Sequence, residues 1–255
     1  MIAVGAFLAL ALSPSAAWSQ CNEFTFTIPD GRIQTDFIAG AGDEGFFFNG
    51  TAGHSYSIEI SMDTSSLAGP SAVHFGAAGV SCPSADAAGF RNTTFIDPIS
   101  NSCCSERQSF TATAGGTPFY VTRVINGTDG VTYRYTVSDT TLFNPLWSTS
   151  GGFETFYRFQ NTTNAVCNVT LTMRNDAGAL VGGTPVTFPI PANSTVPTRN
   201  TGAGDLNVAN GLAGSATIAH DCPPGGVQVD GFTGIFGATT AVLPIKIVPA
   251  REAAH

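Results

Sequence analysis

Charge is scarce in this chain. Only 11% of its 255 residues are Asp, Glu, Lys or Arg, less than half of the roughly 25% usual in soluble proteins. Lys246 is the only lysine. Lys and Arg together number 10 against 18 for Asp and Glu, so the formal charge is -8. A chain without a basic face is not built to bind nucleic acid or an anionic membrane surface. Helical periodicity is missing too: past the N-terminal stretch, no segment over ten residues repeats at 3.6, and residues 206–212 make one short turn of helix at most.

Catalytic motifs are equally thin. There are four histidines: His54, His74, His220 and His255. No serine sits in a G-x-S-x-G elbow, because Gly214-Ser215-Ala216 lacks the second glycine. Neither H-E-x-x-H nor the phosphate-cradling G-x-x-x-x-G-K-[ST] occurs. The most suggestive cluster is His220-Asp221-Cys222, with Asp230 downstream. A strand end followed by the turn Pro223-Pro224-Gly225-Gly226 explains it without chemistry. The expectation is a protein that is not an enzyme and carries no cofactor.

What the chain has is apolar surface and turns. It is 43% hydrophobic, with 19 Phe, 29 Gly and 15 Pro. That much apolar material can be buried, which argues against disorder. Residues 2–12 form an apolar stretch, followed by Ser13-Pro14 and small residues up to Ala17-Trp18-Ser19. This is the layout of a signal peptide, with cleavage expected after Ser19 or, alternatively, after Ala17. The stretch is too short to cross a bilayer, which takes about 20 residues, so no membrane span is expected in the mature chain. The expected location is extracellular or periplasmic.

Six cysteines follow: Cys21, Cys82, Cys103, Cys104, Cys167 and Cys222. In an exported chain an even number reads as disulfides. Cys167 is expected to pair with Cys222. Cys21, Cys82, Cys103 and Cys104 pair among themselves in an order left open. Asp43 and Glu44 are weak calcium candidates in an expected loop that Asp30 or Asp36 would join; a solvated acidic turn is the plainer reading. Six N-x-[ST] sequons, starting at Asn49, Asn92, Asn126, Asn161, Asn168 and Asn193, read as chance products of a Thr- and Asn-rich surface.

Along the chain, alternation at period two marks strands. Tyr56, Ile58, Ile60 and Met62 share one face, and so do Cys167, Val169, Leu171 and Met173. A first run ends at Pro29-Asp30-Gly31. Residues 68–105 are rich in Gly, Ala, Ser and Pro and are expected to form a long disulfide-pinned loop. Residues 119–125 and 131–137 flank two glycines and are expected to form a hairpin. Pro189 suits residues 186–190 to a sheet edge. The expected architecture is all-β: two antiparallel β-sandwiches, Ig-like or jelly-roll-like, over residues 20–148 and 149–250, after a signal peptide over 1–19 and before a tail of 251–255. A cysteine pair about 55 residues apart fits an Ig-like sandwich.

At Asp43-Glu44-Gly45-Phe46-Phe47-Phe48-Asn49-Gly50-Thr51-Ala52-Gly53-His54-Ser55-Tyr56-Ser57-Ile58-Glu59-Ile60 the first half resembles a bacterial pre-peptidase C-terminal domain. Phe119-Tyr120-Val121 and Tyr133-Arg134-Tyr135-Thr136-Val137 resemble that family's closing strands. The resemblance spans residues 30–138, and the cysteine-rich stretch 81–105 departs from it. It implies an accessory β-sandwich of secreted proteins that binds matrix or calcium in some members and has no catalysis of its own. The second half is similar to small bacterial Ig-like domains. Together these readings lead to a secreted or surface-associated binding or structural module whose partner is an extracellular protein or polysaccharide. The alternatives are a subunit of an extracellular assembly joined through edge strands and a secreted hydrolase with a dispersed site.

Overall fold

A computed structural model describes residues 24–38, 42–62, 71–76, 91–94, 105–112, 119–126, 131–196, 199–203, 205–235 and 241–250. The expected signal peptide, Cys21, Cys82, Cys103, Cys104 and the tail 251–255 lie outside them. The chain is all-β, as its alternation demands. The strands are β1 (Phe24–Phe26), β2 (Asp30–Ile38), β3 (Gly42–Asn49), β4 (Ser55–Met62), β5 (Ser71–Gly76), β6 (Arg91–Thr94), β7 (Ser105–Thr111), β8 (Phe119–Asn126) and β9 (Val131–Asp139). They continue as β10 (Leu142–Ser148), β11 (Glu154–Asn161), β12 (Cys167–Asn175), β13 (Val186–Ile190), β14 (Arg199–Asn200), β15 (Ala213–His220), β16 (Val227–Ile235), β17 (Ala241–Ile245) and β18 (Val248–Pro249). No helix among the described residues is long and apolar enough to cross a membrane.

Two pairs of sheets enclose two cores. In the first, β1-β3-β8-β5-β6 packs on β2-β9-β4-β7. Phe46 and Phe48 from one sheet meet Tyr56, Ile58, Ile60, Tyr133, Tyr135 and Val137 from the other. The Phe46 and Tyr135 rings stack at 3.9 Å between centroids. In the second, β13-β12-β15-β10-β18 packs on β14-β11-β16-β17. Cys167, Val169, Leu171 and Met173 of β12 face Tyr157 and Phe159 of β11, with Trp147 of β10 buried among them. Both faces predicted by alternation are the buried ones; the Met62 side chain lies outside the described residues.

Several local expectations give way to tertiary pairing. Residues 68–105 contain β5 and β6 rather than only a loop, with β5 paired to β8 on one side and β6 on the other. Local composition disfavours strands there, but a ladder partner on both sides of β5 outweighs propensity. The strands over 119–126 and 131–139 form no hairpin. β8 pairs with β3 and β5, whereas β9 pairs with β2 and β4 in the facing sheet. β8 and β9 therefore belong to different layers, an arrangement that periodicity cannot distinguish from a hairpin. Residues 142–148, expected with the first half, form β10, which pairs with β15 and β18 of the second. The change of sheets thus falls between Asp139 and Leu142, one strand before the expected division at 148.

The disulfide joins Cys167 to Cys222, with Cα atoms 5.5 Å apart. Its geometry is not the one the Ig-like comparison implies. β12 and β15 are neighbours, with Val169 opposite His220, and extending that register by two residues sets Cys167 opposite Cys222. The bond clamps adjacent strands of one sheet, whereas an Ig disulfide spans the two layers. Pro189 does lie on an edge strand, β13. Asn161 is buried, and its Nδ2 donates to the carbonyls of Ala165 (2.7 Å) and Ile190 (3.0 Å). This sequon holds a corner of the fold and has no room for a glycan.

Candidate functional site

The His220 cluster does not assemble. His220 ends β15 and is only 1% exposed. The Asp221 carboxylate is occupied by Asn168, whose backbone N–H and Nδ2 each donate to it at 2.7 Å. Cys222 is in the disulfide. Asp230 lies on β16, in the facing sheet, opposite Arg158. Asp221 and Cys222 are thus committed to holding strands together, His220 is sealed in the core, and Asp230 lies in the other sheet.

Burial pushes the His220 pKa below the ordinary histidine value, against the opposing pull of the Cys222 backbone, the Asp221 carboxylate and the Thr140 backbone. Its Nδ1 has no hydrogen-bond partner among the described residues. The sign of the consequence follows from linkage. The unfolded chain takes up a proton near pH 6.5 while the folded one resists it, so the unfolded state binds more protons below that pH. Stability should be flat in this respect above pH 6.5 and fall as pH drops toward the folded pKa, with a slope approaching about 1.4 kcal/mol per pH unit. Urea titrations across that window should show this slope in the wild type and not in His220→Gln. Equal slopes in both would refute the assignment.

A second polar cluster forms where β9 hands over to β10. His54 Nδ1 meets Asp139 Oδ2 at 2.8 Å, across 85 residues. Thr140 N–H donates to the Ser55 carbonyl at 2.8 Å, and Thr140 Oγ1 donates to Ser55 Oγ at 3.0 Å. Ser55 N–H donates to Thr141 Oγ1, and Thr141 N–H to Asp139 Oδ1. Histidine, aspartate and serine thus lie side by side, but the arrangement is a clamp. A nucleophile must reach its substrate, and Ser55 is fully buried with its hydroxyl held by Thr140. Sequence separations of 85 and 86 leave no local signal for such a cluster.

The calcium candidates are also redistributed. Asp43 and Glu44 lie on strand β3, opposite Ile125 and Val124 of β8, and not in a loop. The run from Gly42 extends the strand because β8 offers it a ladder. Asp30 and Asp36 belong to β2 in the facing sheet. Asp30 pairs with Arg32, while Asp36 accepts from Tyr133 OH and from the Phe37 N–H. No group of three or more metal-type ligands occurs among the described residues.

Among the described residues, an apolar cleft on the second sandwich has room for a ligand. It begins with Pro145 in β10. Proline cannot donate to a ladder, so strands carry it at edges or bulges. Here the β10–β15 register shifts between Asn144 and Trp147. Buried Asn144 secures the bulge: its Nδ2 donates to Tyr157 OH at 2.6 Å, and its Oδ1 accepts from the Leu146 N–H at 3.1 Å. The bulge turns Leu146 outward, 54% exposed. Edge strand β17 supplies the opposite wall with Leu243, Pro244 and Ile245; Phe153 also lines the cleft and Lys246 stands on its border. The cleft has a volume of about 400 Å³, within the range of small-ligand pockets. Leu243 is 57% exposed. Proline inside a strand is the one sequence signal for this feature.

No family model and no curated protein matches the chain. Among solved structures it is similar to the full extracellular region of zebrafish Gpr126/Adgrg6, at 8% identity and a TM-score of 0.28, over 88% of this chain and 31% of that one. The chain spans about a third of the length of that region.

Proposed function

We propose that the chain is an extracellular, non-catalytic binding module that holds an apolar segment of a protein partner in the cleft between β10 and β17. The observation that carries this reading is the cleft itself: outward-turned Leu146 and Leu243 both line one apolar concavity beside a held bulge. Exposed apolar surface with a concave shape is what a recognition site needs. The walls suit hydrophobic side chains better than a sugar, whose hydroxyls require polar partners. Lys246, the chain's lone lysine, would favour acidic residues flanking the bound segment. The disulfide and the apolar leader support an oxidising compartment. Binding is favoured over catalysis because the histidines and carboxylates near one another are spent on the fold.

Panning a random peptide library on the immobilised protein tests this. Apolar peptides should be enriched, and Leu146→Asp or Leu243→Asp should weaken them by about tenfold or more, since burying one leucine is worth roughly 1.5–3 kcal/mol. Both side chains are exposed, so thermal melts should be unchanged. Peptides indifferent to both substitutions would refute the cleft as the site.

A further inference from the structure

The first sandwich carries a second apolar feature, at a sheet edge. β2 is nine residues long, carries no proline, and pairs only with β9 among the described strands. Its alternation is inverted. Gln34 and Asp36 turn toward the core side, where Tyr135 OH donates to Gln34 Oε1 at 2.9 Å and Tyr133 OH to Asp36 Oδ2 at 3.3 Å. Ile33 and Phe37 face outward, 73% and 53% exposed. Natural proteins usually blunt such edges with proline, lysine or short length. The edges β13 and β17 carry a proline; β2 has none, and its register shift between Asp30 and Ile33 and its inward Asp36 leave residues 33–38 a regular ladder with an exposed apolar face.

The open edge is also equipped for pairing. The Phe37 N–H is given to Asp36 Oδ1 at 2.9 Å and not to β9. By the alternation of an antiparallel ladder, the backbone groups of Ile33 and Thr35 turn outward with it. We infer that β2 is a self-association edge that pairs antiparallel with β2 of a second copy of this chain, about a two-fold axis at Thr35. The occupant follows from the strand's own symmetry. A two-fold at Thr35 sets Ile33 opposite Phe37 of the other copy and Phe37 opposite Ile33, so both exposed apolar side chains find apolar cross-strand partners at once. It also sets Gln34 opposite Asp36, avoiding two carboxylates face to face. The Phe37 N–H exchanges its Asp36 oxygen for the Ile33 carbonyl of the second copy, and Asp36 keeps its bond from Tyr133. The product is one continuous sheet across two first sandwiches.

Sedimentation equilibrium of the full exported chain over a wide concentration series tests this. The wild type should pass from the mass of one chain to that of two. Ile33→Lys with Phe37→Lys sets like charges opposite each other and should weaken association by about tenfold or more. Ile33→Lys with Phe37→Glu sets opposite charges opposite each other in this register alone, and should restore association in a salt-sensitive way. Leu146→Asp with Leu243→Asp should leave association intact, which separates this edge from the cleft. A single-chain mass at every concentration, association indifferent to the double lysine variant, or no recovery with Lys and Glu would each overturn the inference.

Discussion

Trp147→Ala should destabilise the second sandwich by about 3–5 kcal/mol, the cost of deleting a large core aromatic. Trp147 is completely buried. Its Nε1–H donates to the carbonyls of Arg174 (3.1 Å) and Ser215 (2.9 Å). Truncation therefore opens a void, removes contacts to both layers, and leaves two carbonyls short of a donor. The surroundings resist collapse into that void, because the neighbouring backbone is already tight: a Cβ at Gly214, opposite Trp147, would clash with the Arg174 carbonyl. Urea unfolding followed by far-UV circular dichroism measures the loss. Trp147→Phe should recover part of it by refilling the void without the donor. A Trp147→Ala variant as stable as the wild type would show that this core is not organised around the indole.

Removing the disulfide should have an effect of similar size. Cys167→Ser with Cys222→Ser releases a cross-link with a sequence separation of 55, worth about 4 kcal/mol in the chain-entropy model. Tryptophan fluorescence is a suitable probe, because Trp18 lies in the expected leader and Trp147 in the second core. The midpoint should move to lower urea and the slope should rise somewhat, since the unlinked denatured chain is less compact and exposes more surface. The cross-strand position adds a spatial expectation. Hydrogen exchange should rise first at the paired ends of β12 and β15 near Asn168 and Asp221, where the clamp and the Asn168–Asp221 bonds act together. An unchanged midpoint would contradict the stabilising role.

Strands whose inward positions are uniformly apolar are legible in the amino-acid order. β4 and β12 alternate cleanly, and their buried faces are the ones the pattern marks. The partner of Cys167 is legible from spacing and compartment. β2 is not, because its inward residues Gln34 and Asp36 are polar and are satisfied by tyrosine hydroxyls of β9. Burial of Tyr135, reinforced by the Asp36 carboxylate, pushes its pKa up to about 12, so the phenol stays a donor. Such a strand reads as a turn followed by noise unless its neighbour is known. β5 and β6 are hidden for a related reason: short, small-residue segments become strands when another strand supplies their hydrogen bonds.

The candidate site shows the same division. Pro145 announces an edge or a bulge, but only the pairing of β10 with β15 and the anchoring of Asn144 on Tyr157 decide that Leu146 turns outward into a cleft that Leu243 also lines. The amino-acid order by itself determined the all-β class, the buried faces of the regular strands and the Cys167–Cys222 pair, because period-two alternation is a local property and the second half of the chain holds two cysteines alone. Tertiary structure alone decided which strands share a sheet, where one core gives way to the other, and that His54, Ser55 and Asp139 form a clamp. Those outcomes depend on ladder partners far apart in the chain, whose backbone hydrogen bonds carry no side-chain signature.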